Sequence, residues 1–374
     1  MTEKKILAVF GATGQQGGSV INQLVSEPAA SLPNISQFHL RALTSRSLPI
    51  SSASPIQLEQ WYRLIGSSPD TDTDNNTTNN TTNNTTNTIQ VTPQVDFHTP
   101  STLLPALKDV HTAFIMTTPS FTPVTSDDPN SSKEFLAVQN ILSAALAQKV
   151  DTVLFSTLPN ITELSSGKYT HVTPFDDKAR AEAYIRSLHP QIKSAFLSLG
   201  FFMSNWLTQG FLAPRYDEDT DSWVMRLHVA GGTGIPLVDA GRDTGKFVAA
   251  ILERGVDGTG EAVLAAEGVY PLDGIAEVFS RHTGQRVRYE QVTVEEFRET
   301  GLKGFPESLK DVLVEGYSAL EEFGHAGKET GALVEEGKRL VRECGLGELV
   351  SLEEFLKKEG YVLGKGPRSK QWGS

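Results

Sequence analysis

A glycine triplet set directly behind a short apolar run near the amino terminus constrains this chain more than any other feature. Residues 6–10 (ILAVF) are continuously apolar and end at Gly11; Gly14 and Gly17 follow at GxxGxxG spacing, and a helical pattern of Val20, Ile21, Leu24 and Val25 comes next. A strand that is apolar on both faces suits a parallel sheet covered by helices on both sides. Glycine suits a tight turn, close approach of backbone to a pyrophosphate, and a helix N-terminus aimed at negative charge. A glycine triplet alone is a weak signal. Placed between a first strand and a first helix, it predicts a dinucleotide-binding turn formed by Gly11, Ala12, Thr13, Gly14, Gln15, Gln16 and Gly17.

The rest of the chain agrees with such a turn. Strands are predicted over 38–43, 112–116, 152–155 and 195–199, with helical segments between them. The best marked helix runs over 135–147 and is preceded by Ser131 with Glu134 three residues on, a capping-box spacing. Another is predicted over 243–254. Strand–helix alternation at this interval predicts an α/β fold, a Rossmann doubly wound parallel sheet. From Leu264 onward the chain turns more helical and charged (Glu295–Glu296–Phe297, 333–344, 353–357), which predicts a smaller C-terminal α+β lobe. The expected division is a nucleotide-binding domain over 1–263 and a substrate or partner lobe over 264–374, interleaved with it. Residues 66–88 break the order: from 70 to 88 the sequence is almost wholly Asn, Thr and Asp, with nothing to bury, and reads as a disordered surface insertion. Residues 206–234 read as a loop-and-strand excursion.

Composition narrows the classes. A net charge of −12 and no Lys/Arg run argue against direct nucleic-acid binding. Cys344 is the single cysteine, so no intrachain disulfide or cysteine metal cluster is expected. There is no long apolar run and no secretory pattern at residues 1–10, so the reading is a cytoplasmic, or also nuclear, protein without a membrane span. HExxH, EF-hand and Walker patterns are missing, and no metal site is expected. Asp127–Asp128 and Asp176–Asp177 are adjacent acids that point different ways and read as loop or cap residues.

The second strand speaks to the choice of dinucleotide. An NAD site usually carries an acid about 20 residues beyond the glycines to bind the ribose 2′-hydroxyl. Between Glu27 and Glu59 this chain has no Asp or Glu; the strand contains Arg41 and ends in Thr44–Ser45–Arg46. A guanidinium with hydroxyls is the chemistry that accepts a 2′-phosphate, so the expected cofactor is NADP (NADPH).

Several blocks together resemble the NmrA-like family of atypical short-chain dehydrogenases: GATGQQGGSV at 11–20, RALTSR at 41–46, STLPNI at 156–161 with ELSSGK at 163–168 and FDDK at 175–178, GFFMSN at 200–205, and DTG at 243–245. The resemblance implies dinucleotide contacts from the glycine turn, Arg46, Asp96 and Phe97 near the adenine, and Thr117, Thr118 and Pro119 beneath the nicotinamide ribose. It also implies that Lys178, Phe202, Met203, Ser204 and Asn205 complete the pocket.

Catalysis is less legible. Ordinary short-chain dehydrogenases use a Tyr four residues before the Lys; here that position is Pro174, which can neither give nor take a proton, and the family often has a His there. Tyr169 and His171 lack the helical spacing to Lys178. Two readings follow. One is an NADPH-dependent oxidoreductase acting on a small organic substrate, with Lys178 orienting the ribose or serving as proton donor. The other is a non-catalytic NADP(H)-binding redox sensor that regulates a protein partner such as a transcription factor. Trp206 and Phe211 read either as pocket lining or as core.

Overall fold

The apolar run at the amino terminus forms strand β1 (Lys5–Val9), in which Leu7, Ala8 and Val9 are buried. They are buried because helices cover both faces of the sheet that β1 joins. The computed structural model describes residues 4–45, 89–119 and 132–364. Arg46, the 66–88 tract, Asp127–Asp128 and Ser131 lie outside the described residues.

Beside β1, the strands β2 (Phe38–Leu43), β3 (Ile89–Thr92), β4 (Val110–Ile115), β5 (Thr152–Thr157), β6 (Lys193–Leu199) and β11 (Thr259–Ala265) build one seven-stranded sheet. Its order is β11–β6–β5–β4–β1–β2–β3 and every pairing is parallel. The chain therefore runs from β1 outward through β2 and β3, then returns to β1's other side with β4. That reversal leaves a crevice outside the carboxyl ends of β1 and β4, where open α/β sheets bind ligands.

Side chains alternate across the sheet with period two. Leu7 and Val9 pack against α1 (Gln15–Val25), α7 (Thr244–Arg254) and α11 (Thr330–Glu343). Ala8 and Phe10 face α2 (Pro100–Ala106), α3 (Lys133–Ala147) and α5 (Thr173–Ser187). Each large apolar side chain so buried contributes about 1.5–3 kcal/mol, which makes these two clusters the main stabilisers of the domain. The edge strand β11 is covered by α11: a Cβ on Gly337 would stand 2.3 Å from the Leu264 carbonyl oxygen, so only glycine lets the helix lie on that edge. The first turn of α3 differs from the sequence reading. Its cap is Ser132, whose Oγ accepts the Phe135 N–H at 3.1 Å, so Glu134 is free for another task.

Beyond β6 the chain builds the smaller lobe from two three-stranded sheets. One joins β7 (Phe201–Phe202), β10 (Gly234–Val238) and β12 (Gly268–Pro271); the other joins β8 (Arg215–Asp217), β9 (Ser222–Leu227) and β13 (Val287–Gln291). Between them, α8 (Leu272–Thr283), α10 (Glu307–Phe323) and α12 (Leu352–Lys358) close a third core containing Trp206 and Phe211, which are therefore packing residues. The 206–234 excursion thus supplies strands to this lobe, while α11 returns to the large sheet. Among the described residues no helix is long and apolar enough to cross a membrane, and no cluster of three or more His, Cys, Asp or Glu could hold a metal.

Candidate functional site

The glycine turn occupies the crevice. Gly11 follows β1 with φ +63°, in the left-handed region that favours glycine, and a Cβ there would stand 2.6 Å from Met116 Sδ beyond β4. At Gly17 a Cβ would lie 2.4 Å from the Gly11 oxygen and 2.8 Å from that of Phe10, so backbone packs on backbone with no room for a side chain. The turn is held by Gly14 N–H to the Gly11 carbonyl (2.8 Å) and by Ala12 N–H to the Leu43 carbonyl (3.0 Å). Gly14 caps α1 without a side-chain bond, and the first helical turn carries no acid. Unsatisfied N–H groups and the positive end of the helix dipole are left for an anion.

The end of β2 lies beside this turn, with Thr13 Oγ1 3.3 Å from Thr44 Oγ1. Arg41 is taken out of the ligand chemistry. Its buried guanidinium donates to Gln90 Oε1 at 2.8 Å and to the carbonyls of Ala106 (2.9 Å) and Lys108 (2.6 Å), tying β2 to the segment after α2. Asp96, beyond β3, accepts from His98 N–H (3.0 Å) and the Thr99 hydroxyl (2.7 Å), and these donors hold its carboxyl below the usual range. Phe97 rests edge-on against Phe10 at 5.5 Å, and its carbonyl accepts from Asn140 at 3.1 Å.

On the other side of the crevice, β4 ends at Ile115, and Met116 and Thr117 follow. The buried Thr117 meets two buried charges. Its hydroxyl donates to Glu134 Oε1 at 2.6 Å, and Lys178 Nζ donates to the Thr117 carbonyl and hydroxyl, both at 3.1 Å, and to Glu134 Oε1. Thr118 is exposed and Pro119 half-buried beside them. Lys178 comes from the first half of α5, whose N-terminus contains Pro174. Asp176 on the same turn accepts from the Ile161 and Thr162 N–H groups and the Thr162 hydroxyl, bracing the first turn of α4 (Ile161–Leu164), which Asn160 caps. Tyr169 and His171 face α10 instead, bonded to Glu322 (2.6 Å) and Glu315 (2.5 Å).

The 202–205 segment reaches the glycine turn from the smaller lobe. Met203 is buried with its N–H on the Val238 carbonyl (3.0 Å), and Ser204 Oγ donates to Gln15 Oε1 at 3.0 Å. Phe202 and Asn205 are half-buried on either side. The structure thus gathers the glycine turn, Thr117, Lys178 and the 202–205 segment around one crevice. The residue that sequence reasoning missed is Glu134. Its three-residue spacing from Ser131 looked like a capping box, whereas its carboxylate is wholly buried against Lys178.

Comparison with known proteins agrees with this fold. The model of the NmrA-like family matches residues 3–356. An NmrA-like family domain-containing oxidoreductase of Penicillium ochrochloron, ptmS, is 25% identical over 347 residues, covering 87% of each chain. Among solved structures, the negative transcriptional regulator NmrA in complex with NADP superposes with a TM-score of 0.67 at 18% identity, over 97% of this chain and 99% of that one. The triphenylmethane reductase of a Citrobacter species, complexed with NADP(H), gives 0.63 at 17% identity over 95% and 99%. At such identities the structural likeness speaks for the fold.

Proposed function

This chain belongs to the NmrA-like family, and from that premise we propose that it is an NADP(H)-dependent oxidoreductase acting on a small organic substrate. One observation carries the reading: the Gly11/Gly17 cradle, where a Cβ would fill the space, lies at the sheet's reversal point against an uncapped helix N-terminus. The residues fit a dinucleotide. The N-terminus of α1 would take the pyrophosphate, Asp96 and Phe97 would flank the adenine, and Arg46 would take the 2′-phosphate. Residues 117–119 would form the floor, and the 202–205 segment the wall, of the nicotinamide side. The bound cofactor supplies or accepts a hydride; the chain's own contribution is to position it and exclude water.

No tyrosine stands at the usual place, since Pro174 occupies it. The three N–H donors of Lys178 all serve acceptors within the chain. Such a site suits acceptors that delocalise the incoming electron pair by conjugation and so need no adjacent acid. An enzyme of the same fold, from a Citrobacter species, is a triphenylmethane reductase. The same two facts also favour the second reading, a non-catalytic NADP(H) sensor, and the regulator NmrA shares the fold.

Calorimetric titration with NADPH, NADP, NADH and NAD tests the proposal. The expected result is a preference for the phosphorylated forms, lost in Arg46→Ala by about 1.5–3 kcal/mol, the worth of one charge-assisted contact. Absence of binding by any dinucleotide would overturn it. A strong difference between oxidised and reduced forms, with no turnover, would favour the sensor.

A further inference from the structure

We propose that Glu134 is a positioning residue of the nicotinamide side, closing with Lys178 and Thr117 a buried clamp that sets the 116–119 segment against the glycine turn. In this arrangement Lys178 is the clamp's cation and not a proton donor. The proposal rests on the NADP(H) reading above.

Three observations carry it. First, an ammonium has three donors, and here they go to the Thr117 carbonyl, the Thr117 hydroxyl and Glu134 Oε1, leaving none for a substrate or a ribose. Second, the triangle closes on itself, because the Thr117 hydroxyl that accepts from Lys178 donates to the same Glu134 oxygen at 2.6 Å. Third, it is built from separate segments: Glu134 from the first turn of α3, Lys178 from α5, and Thr117 from the segment after β4. The residue before Thr117 is Met116, whose Sδ lies 2.6 Å from where a Gly11 Cβ would stand. Fixing Thr117 therefore fixes what the glycine turn rests on.

Stability alone is a poor account of the clamp. The Lys178 side chain is 6% exposed and that of Glu134 0%, so both charges have lost their water. Buried ion pairs of this sort often add little net stability compared with apolar packing. Glu134 Oε2 is also buried without a hydrogen-bond partner, which a pair serving stability alone would have had reason to satisfy. The geometry spends its bonds on a single carboxylate oxygen and one loop residue, which is what positioning requires.

The test compares two ligands on the full chain. NADPH reaches both halves of the site, whereas adenosine 2′,5′-bisphosphate reaches only the adenine half. In Glu134→Gln and Lys178→Met, NADPH affinity is expected to fall on the order of tenfold, a change of about 1.4 kcal/mol, while the bisphosphate binds as in wild type. The double variant should lose little more than either single one, since the two act as a unit. Thr117→Val, which keeps the charges and removes only the hydroxyl, provides the same comparison if the charge variants do not fold. Equal loss of both ligands, or unchanged NADPH affinity, would overturn the proposal. So would a Lys178→Met protein that binds NADPH normally yet has lost all turnover with a hydride acceptor. Failure of wild type to bind NADPH would instead sink the cofactor reading itself.

Discussion

Replacing Gly17 by Ala isolates what the glycine cradle does. The added Cβ would stand 2.4 Å from the Gly11 oxygen, 2.6 Å from the Gly11 carbonyl carbon and 2.8 Å from the Phe10 oxygen. All three are backbone atoms, so no rotamer change relieves the clash. Reaching an acceptable 3.0–3.4 Å from the first atom requires a displacement of about 0.6–1.0 Å between the helix and the turn. Two effects oppose each other. Alanine within a helix is intrinsically better than glycine by roughly 0.5–1 kcal/mol. Overpacking against an unyielding backbone costs roughly 1–3 kcal/mol. At mid-range the clash wins, leaving the variant about 1 kcal/mol less stable in urea unfolding. Binding should suffer more than folding. A misplacement approaching 1 Å can cost on the order of a hundredfold where geometry is exacting, and here it falls on the N–H groups proposed to meet the pyrophosphate. Fluorescence titration with NADPH reads this directly. Gly14→Ala is the control for stability alone, because a Cβ there stands 3.2 Å from the Gly11 oxygen and needs only a small adjustment. If Gly17→Ala binds NADPH as tightly as wild type with unchanged stability, the cradle argument is wrong.

Other perturbations follow from the same geometry. Lys178→Met leaves the Glu134 carboxylate buried without its cation, and should cost about 3–5 kcal/mol in urea unfolding; replacing both residues together should cost less than the sum of the single losses. His325 is buried against Phe175, and burial pushes its imidazole down to about 4. The folded state thus resists a proton that the unfolded state accepts below about 6.5. Stability from this residue is complete above that pH and falls as pH drops toward 4, by about 2 kcal/mol between pH 7.5 and 5. Wild type should lose that much more than His325→Gln over the interval, and parallel pH profiles would refute the assignment. Gly337→Ala sets a Cβ 2.3 Å from the Leu264 oxygen and should loosen α11 from the edge of the sheet, at roughly 1–3 kcal/mol read by thermal unfolding.

Much of the fold could be read from local pattern because a parallel sheet writes itself plainly. Strands covered on both faces become unbroken apolar runs, as at Leu7 to Phe10 and Val153 to Phe155, and a glycine turn at a sheet's reversal point has few substitutes. The smaller lobe was legible only in outline. Its strands are short, partly exposed and paired over long sequence distances, such as β9 with β13, so periodicity carries little there. The site was uneven for a similar reason. Glycines announce themselves by backbone need, but a side chain's partner depends on the fold. Arg41 and Lys178 are both cations in blocks that resemble the family; one braces β2 through the Ala106 and Lys108 carbonyls, while the other reaches the crevice. Nothing in the sequence around either distinguishes the two outcomes.

Glu134 shows how a local pattern can mislead. A Ser followed three residues later by Glu is what a capping box looks like, and at the start of α12 that motif is real: Ser351 and Glu354 bond reciprocally to each other's backbone N–H. At the start of α3 Ser132 alone suffices, because its hydroxyl takes the Phe135 N–H. The acid in the first turn is then available, and it turns inward because the buried Lys178 is the stronger attraction. The difference between the two helices lies in exposure. The α12 cap sits in solvent, where a carboxylate has no better partner than a backbone N–H. The first turn of α3 faces α5, where an uncompensated ammonium would cost several kcal/mol. The lysine's burial and the glutamate's position are therefore one requirement, and a substitution at either should be read through the other.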